Sequence, residues 1–477
     1  MPYEINKEQA SEALAFKAAA HALIESFIED EKNAHVLPIY KVHAEQRAPS
    51  VLNLPLSLQG EGLSRAAAVF QDQVAPYLVR NHHARFFNWV VGGRTPAAVL
   101  GDFYTTVFDQ IVMLCGHGVA SQIENQTIQW LLELFDLPLQ DFQGIFTTGA
   151  TEANLCALAA ARQWHGERQK INVSDAGLYG LQPPAVIASA PHASIDKAMQ
   201  VLGLGRRHLI KTGNSAACMD LAALEKLLQH HQNAIVVANC GEVNTGSFDS
   251  LETIAALCRQ YNAWLHVDAA FGLFARCYPA THALAEGIEW ADSITCDGHK
   301  LGNVPYGCGF LFINKKNYTY LTKTFSTVAP YLSGDHDHPM NTRVANSQRF
   351  LALPMWLSLL AYGKAGYQDM VKRQYEFAQA MGEWIKKQEA YELIMPVVFN
   401  IVLFRHKKVA SSEDNQQLIK QINATNQLSL SGTMFNGIPA LRLAVANWCI
   451  SLDQDQQPVC EGLLAGSHAY LFEKEVA

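Results

Sequence analysis

The run EQASEALAFKAAAHALIESFIEDEKN, residues 8 to about 34, sets apolar side chains every three or four positions among strong helix formers, which predicts a helix. Pro38, Pro49 and Pro55 break the pattern and predict an arm or loop, and a second helical stretch follows from Leu63 to Arg80. Beyond residue 120 the texture is regular. Ser121 to Phe135 is amphipathic and stops at Pro138; a strand-like run, Gly144 to Thr148, enters the turn Gly149-Ala150-Thr151 and then a helix, Glu152 to Trp164. Short apolar runs recur at 185–190, 234–239, 263–267 and 307–313, with helical stretches between several of them. Runs of that length and character suit strands covered on both faces, and the alternation predicts an α/β unit with a mainly parallel central sheet and helices on both faces. After about 345 come two helical stretches, Phe350 to Tyr362 and Gly366 to Lys387, then strand-like runs at 396–404 and 440–446. The expected division is an N-terminal helical arm (1–75), a large α/β domain (76–365) and a smaller C-terminal α+β domain (366–477).

Composition narrows the field. The chain has 477 residues, 49% hydrophobic and 17% charged, which suits two or three globular units. Lys and Arg number 36 against 44 Asp and Glu, a net charge of −8, and no long basic run argues for a nucleic-acid partner. No apolar stretch reaches membrane-spanning length, and the beginning MPYEINKEQA lacks the basic and apolar regions of a signal peptide. The ten cysteines form no C-x-x-C pair, which predicts reduced thiols in a cytoplasmic protein and no zinc site.

Two segments carry the strongest chemistry: His266-Val267-Asp268-Ala269-Ala270 and Asp297-Gly298-His299-Lys300. A β-prone run ending in Asp268 puts a carboxylate at the carboxyl edge of the sheet, where open α/β sheets bind ligands. Lys300, just before the turn Leu301-Gly302-Asn303-Val304-Pro305, can reach the same crevice. An aspartate that keeps a pyridine nitrogen protonated and a lysine that makes a Schiff base are what pyridoxal-5'-phosphate (PLP) chemistry needs. In Thr147-Thr148-Gly149-Ala150-Thr151-Glu152-Ala153-Asn154 a small-residue turn opens a helix, which directs backbone N–H groups at an anion. Helix capping alone also produces such turns.

Together these segments resemble the PLP-dependent group II amino-acid decarboxylases over about residues 80 to 450. The resemblance also rests on Ala190-Pro191-His192-Ala193-Ser194, on NCGEVNTGSFDSL, and on Gln348-Arg349-Phe350-x-Ala352-Leu353-x-x-Trp356. It implies the fold-type-I PLP-dependent transferase fold, a homodimer with the active site at the subunit interface, and decarboxylation of a small-molecule amino acid to its amine. It further implies that Lys300 holds the cofactor, Asp268 pairs with its ring nitrogen, Ala270 lines one ring face and His192 stacks on the other. Gly149, Ala150, Thr151 and His299 would surround the phosphate, with Asp297 near it. Tyr331 falls where the family carries a mobile-loop tyrosine that protonates the carbanion after CO₂ leaves.

Two positions depart from the family. Asp297 stands where Asn is frequent, and a carboxylate beside a phosphate is unfavourable unless paired or turned away. Glu242 stands where Thr is frequent. Arg94 suits either a substrate carboxylate or a structural salt bridge. Asp335-His336-Asp337-His338 reads as a solvated loop, since no third ligand group is evident, and Gly203-Leu204-Gly205 lacks the rest of a dinucleotide fingerprint. An aminotransferase, a carbon–carbon lyase and a non-catalytic cofactor-binding protein are the rival readings, because the fold alone does not choose which Cα bond breaks.

Overall fold

The computed structural model describes residues 9–42, 55–112, 118–327 and 339–476. Helix α1 (Gln9–Lys32) and short α2 (Leu63–Val69) lead to α3 (Pro96–Phe108) and α4 (Ala120–Leu134). The large domain then runs β1 (Phe142–Thr147), α5 (Ala150–Arg168), one-turn α6 (Val173–Ala176), β2 (Val186–Ala188), α7 (Ala193–Val201), β3 (Leu209–Lys211), α8 (Leu221–His230), β4 (Ile235–Asn239), α9 (Leu251–Gln260), β5 (Trp264–Asp268), β6 (Ser293–Asp297), β7 (Gly309–Asn314) and α10 (Tyr318–Phe325).

Its sheet has the order β1-β7-β6-β5-β4-β2-β3. From β6 to β3 every neighbour is parallel; β7 runs antiparallel to both β1 and β6. Strands β4, β5 and β6 are buried along their whole length, as strands covered on both faces must be. One apolar cluster packs Leu224, Ile254 and Phe274 against one face, and a second packs Leu158, Ile195 and Met199 against the other. The carboxyl ends of β1, β4, β5 and β6 share one edge. That edge receives Gly149, Asn239, Asp268 and Asp297.

Helix α11 (Leu353–Lys386) covers the two stretches expected after residue 350 and breaks between them at Gly363, whose φ of 57° and ψ of −169° leave the helical region. It leads into β8 (Tyr391–Leu393), β9 (Ile401–His406), α12 (Ser412–Ala424), β10 (Ser431–Phe435), β11 (Ile438–Ala444) and α13 (Leu452–Val476). These strands form an antiparallel sheet of order β10-β11-β9-β8. Two strands of the large sheet, β3 and β6, were not among the runs expected from apolarity. The expected run at 396–404 becomes a strand only from Ile401.

Candidate active site

The N-terminus of α5 is brought against β7 by two glycines. A methyl group on Gly309 would lie 2.5 Å from the Gly149 Cα, and one on Gly149 would lie 3.2 Å from His299 Cε1. Glu152 accepts hydrogen bonds from the Thr148 N–H and hydroxyl, both at 2.8 Å, and so closes the turn. The first-turn N–H groups of α5 have no intrahelical acceptor, the condition in which a helix N-terminus can receive an anion. One of them is engaged: Ala150 N–H donates to Asp297 Oδ1 at 2.6 Å.

Asp297, buried at the end of β6, also pairs through Oδ2 with Lys300 Nζ at 3.0 Å. His299 donates from Nδ1 to the Cys308 carbonyl at 2.9 Å, and its ring lies 4.9 Å from that of Tyr306. Burial pushes the His299 imidazole below its ordinary pKa, while Asp297 pulls it upward and Lys300 pushes it down. Asp268 ends β5; its Oδ1 accepts from Ala270 N–H at 3.2 Å and its Oδ2 from Asn154 Nδ2 at 3.0 Å. A carboxylate has about four acceptor positions, so Asp268 keeps capacity toward the cavity it lines. His192 caps α7 with its ring: Nδ1 accepts from Ser194 N–H at 3.2 Å and faces the Ser194 hydroxyl at 2.8 Å.

One cavity of about 490 Å³ collects Gly149, Ala150, Thr151, His192, Asp268, Ala270, Asp297, His299 and Lys300, all named from the sequence. Glu242 lines an adjoining cavity that shares His192, Asp268, Ala270 and Lys300. Its carboxylate is committed to its own turn, accepting from Asn244 N–H, Thr245 N–H and the Thr245 hydroxyl at 2.8–2.9 Å. Arg94 points elsewhere, over the Phe27 ring at 5.3 Å, where Glu31 and Asp30 of α1 offset its burial. Tyr331 and the Asp335–His338 cluster lie outside the described residues.

A profile of the pyridoxal-dependent decarboxylase conserved domain matches residues 52–407. The chain belongs to the pyridoxal-dependent decarboxylase family. It is similar to an aromatic-L-amino-acid decarboxylase of Bacillus atrophaeus, 30% identical over 390 residues covering 76% of this chain and 77% of that one. It is also 27% identical to an L-2,4-diaminobutyrate decarboxylase of Acinetobacter baumannii over 70% of each chain. The fold matches that of an Oryza sativa TDC crystallised with PLP and tryptamine, with a TM-score of 0.86, 20% identity and coverage of 95% and 98%. The chain is thus a PLP-dependent carboxy-lyase that converts an amino acid to an amine.

The residues present fit that cofactor: a lysine amine, a carboxylate with spare acceptor capacity and a helix N-terminus open onto one cavity. Asp297 is the member whose charge opposes a phosphate, since it already takes an α5 N–H and the Lys300 amine. Sequence reasoning assigned no role to Asn154, Ser194, His266, Tyr306 or Arg442. Arg442 had a readable signal, a lone cation in the apolar strand run ALRLAVA. Asn154 had another, four positions after Ala150 and so on the same face of α5.

Gly92 packs against the lysine itself: a methyl there would lie 1.8 Å from the Lys300 carbonyl oxygen. Backbone cannot yield as a side chain does. Gly92→Ala is expected to cost about 1–3 kcal/mol of stability and to weaken cofactor retention. Urea unfolding and visible absorbance after gel filtration measure the two effects.

Proposed function

We propose that Lys300 forms the covalent link to PLP, that Asp268 holds its ring nitrogen in the protonated form, and that His192 and Ala270 flank the ring. Gly149, Ala150, Thr151 and His299 hold the phosphate. The observation that carries this reading is the opening of Lys300 and Asp268 onto one cavity at the carboxyl edge of the sheet. When bound, PLP supplies the electron sink that makes cleavage at Cα possible. The chain's own residues do the rest. Lys300 accepts and returns protons at Nζ as substrate amine exchanges with it. Asp268 carries negative charge opposite the ring nitrogen. Burial lowers the pKa of His192, and Ser194 occupies its Nδ1, so neutral His192 presents Nε2–H as a donor toward bound groups. Tyr331 is the proposed proton donor to Cα.

Arg442 is the proposed clamp for the substrate α-carboxylate. It lines the cavity, is 5% exposed, donates to the Val243 carbonyl at 2.8 Å and leaves Nε buried without a partner. Its guanidinium can still offer a carboxylate a charge-assisted hydrogen bond. Arg442→Met is expected to raise KM by about 10- to 100-fold, the equivalent of about 1.5–3 kcal/mol. Steady-state CO₂ release checks this, and an unchanged KM removes Arg442 from the substrate site.

The active enzyme is proposed to be a cytoplasmic homodimer with its active site at the subunit interface. Large apolar side chains stand exposed on α1 (Leu14, Phe16) and α3 (Val107, Phe108), as faces awaiting a second copy do. The division at residues 75 and 365 is retained as part of the same proposal. A CO₂-release screen across the amino acids tests the reading, together with borohydride trapping of PLP on Lys300.

A further inference from the structure

Behind Asp268 lies a file of buried polar side chains that the proposed chemistry leaves unused. Trp264 Nε1–H donates to Ser293 Oγ at 3.0 Å. Ser293 Oγ lies 2.9 Å from His266 Nδ1, and His266 Nε2 lies 2.9 Å from Asn154 Oδ1. Asn154 Nδ2 is 3.0 Å from both Asp268 Oδ2 and Ser194 Oγ, and Ser194 Oγ is 2.8 Å from His192 Nδ1. His266, Asn154 and Ser293 are wholly buried, and Ser194 is 5% exposed.

The direction of every proton in this file follows from its two ends. An ionised carboxylate only accepts, so the Asn154 group facing Asp268 must be the NH₂. That leaves Asn154 Oδ1 facing His266, so His266 Nε2 must carry a proton. Burial depresses the His266 pKa to about 4, although the Asp268 charge and a contact with the Ser293 backbone act in the opposite sense. The ring is therefore neutral near pH 7, and Nδ1 is bare and accepts the Ser293 O–H. At the other end, the two hydrogens of the Asn154 NH₂ serve Asp268 and Ser194, and the Ser194 O–H turns to His192 Nδ1. All donors point one way, the arrangement in which neighbouring bonds polarise one another.

We propose that His266 is a positioning residue: as the Nε2–H tautomer it fixes the orientation of the Asn154 amide, which aims the Asp268 carboxylate and sets the tautomer of His192 together. Asn154 is the fork of the device and Ser293 its upstream stop. Loss of the His266 donor leaves the buried Asn154 Oδ1 without a partner, so the amide is no longer held from behind. Its bonds to Asp268 and Ser194 are then less well aimed. The inference rests on the reading that Asp268 faces the cofactor ring, but the tautomers themselves do not depend on it.

Two measurements test it. Nitrogen-15 NMR of histidine-labelled, unsubstituted protein is expected to show His266 with its proton on Nε2; a proton on Nδ1 overturns the proposal, with or without cofactor. His266→Leu is expected to retain PLP about tenfold more weakly, the equivalent of one lost charge-assisted hydrogen bond. Its visible band should also shift with pH across the neutral range, where that of the unsubstituted protein stays constant. His266→Gln, which can still offer an N–H to Asn154, is expected to restore both. A leucine variant that matches the unsubstituted protein, or a glutamine variant as impaired as leucine, overturns the positioning role; if the leucine variant does not fold, the NMR result decides. Borohydride trapping separates the premises: no adduct on Lys300 in the unsubstituted protein defeats the cofactor reading, whereas a normal adduct with unresponsive His266 variants defeats only this inference.

Discussion

Lys300→Ala is expected to lower decarboxylation by at least about a thousandfold, near the upper range for removing a positioned proton-transfer group. The reason is geometric. Lys300 is the one lysine among the described residues lining the principal cavity, and its backbone is held by Gly92 on one side and by the Asn303 N–H, donating to its carbonyl at 3.1 Å, on the other. Lys211 lines only the adjoining cavity, so bound cofactor should be lost on dialysis and the band near about 420 nm should vanish. Asp297 supplies the internal control. Its ion pair disappears in the variant, leaving a buried carboxylate with the Ala150 N–H and a distant imidazole, His299 Nε2 at 3.7 Å. A stability loss of about 1–3 kcal/mol should accompany the loss of activity. Small external amines are expected to restore a fraction of the rate without restoring stability, which distinguishes a missing proton carrier from a damaged fold. Retention of a tenth of the original rate by the alanine variant would remove Lys300 from its proposed role.

The parts of this molecule that announce themselves in sequence are those where the strand period meets a change of chemistry. WLHVD is apolar but for His266 until its carboxylate, and the break marks the sheet edge; the GATEAN turn does the same for the start of α5. Strand β6 escaped because SITCD contains a serine, a threonine, a cysteine and an aspartate, yet all five residues are buried. Its polar groups are used internally, Ser293 by Trp264 and His266, Asp297 by Ala150 and Lys300. Strand β3 escaped because three residues give too short a period. Asn154 and His266 stood inside the quoted motifs without a role, since only the fold brings residues 112 positions apart to 2.9 Å. Arg442 reaches the cavity from the C-terminal sheet, a placement no local pattern encodes. Glu242 shows the converse. Its chemistry is conspicuous in sequence, but the folded chain uses its carboxylate to tie a turn.

Asp268→Asn is the more discriminating substitution, because it removes charge and almost no volume. The side chain keeps one oxygen for either the Asn154 amide or the Ala270 N–H, which meet different carboxylate oxygens in Asp268, and its volume is unchanged, so the cavity should retain its shape and Lys300 should still be trapped with PLP by borohydride. What is lost is the negative charge opposite the ring nitrogen. Hydrogen bonds with an ionised partner are roughly twice as strong as neutral ones, and each pKa unit of lost proton affinity is worth about 1.4 kcal/mol. A fall of two to three units at the ring nitrogen would leave it largely unprotonated and lower kcat by about 10²–10³, with KM little changed, since Arg442 and not Asp268 is the proposed carboxylate clamp. The rate should recover partly toward acid pH, where solvent protonates the ring, in contrast to the alanine variant of Lys300, which should be inactive at every pH. Measuring kcat against pH for the two variants side by side separates their roles. An Asp268→Asn enzyme within about threefold of the original would mean that the carboxylate at the end of β5 serves the sheet and not the chemistry.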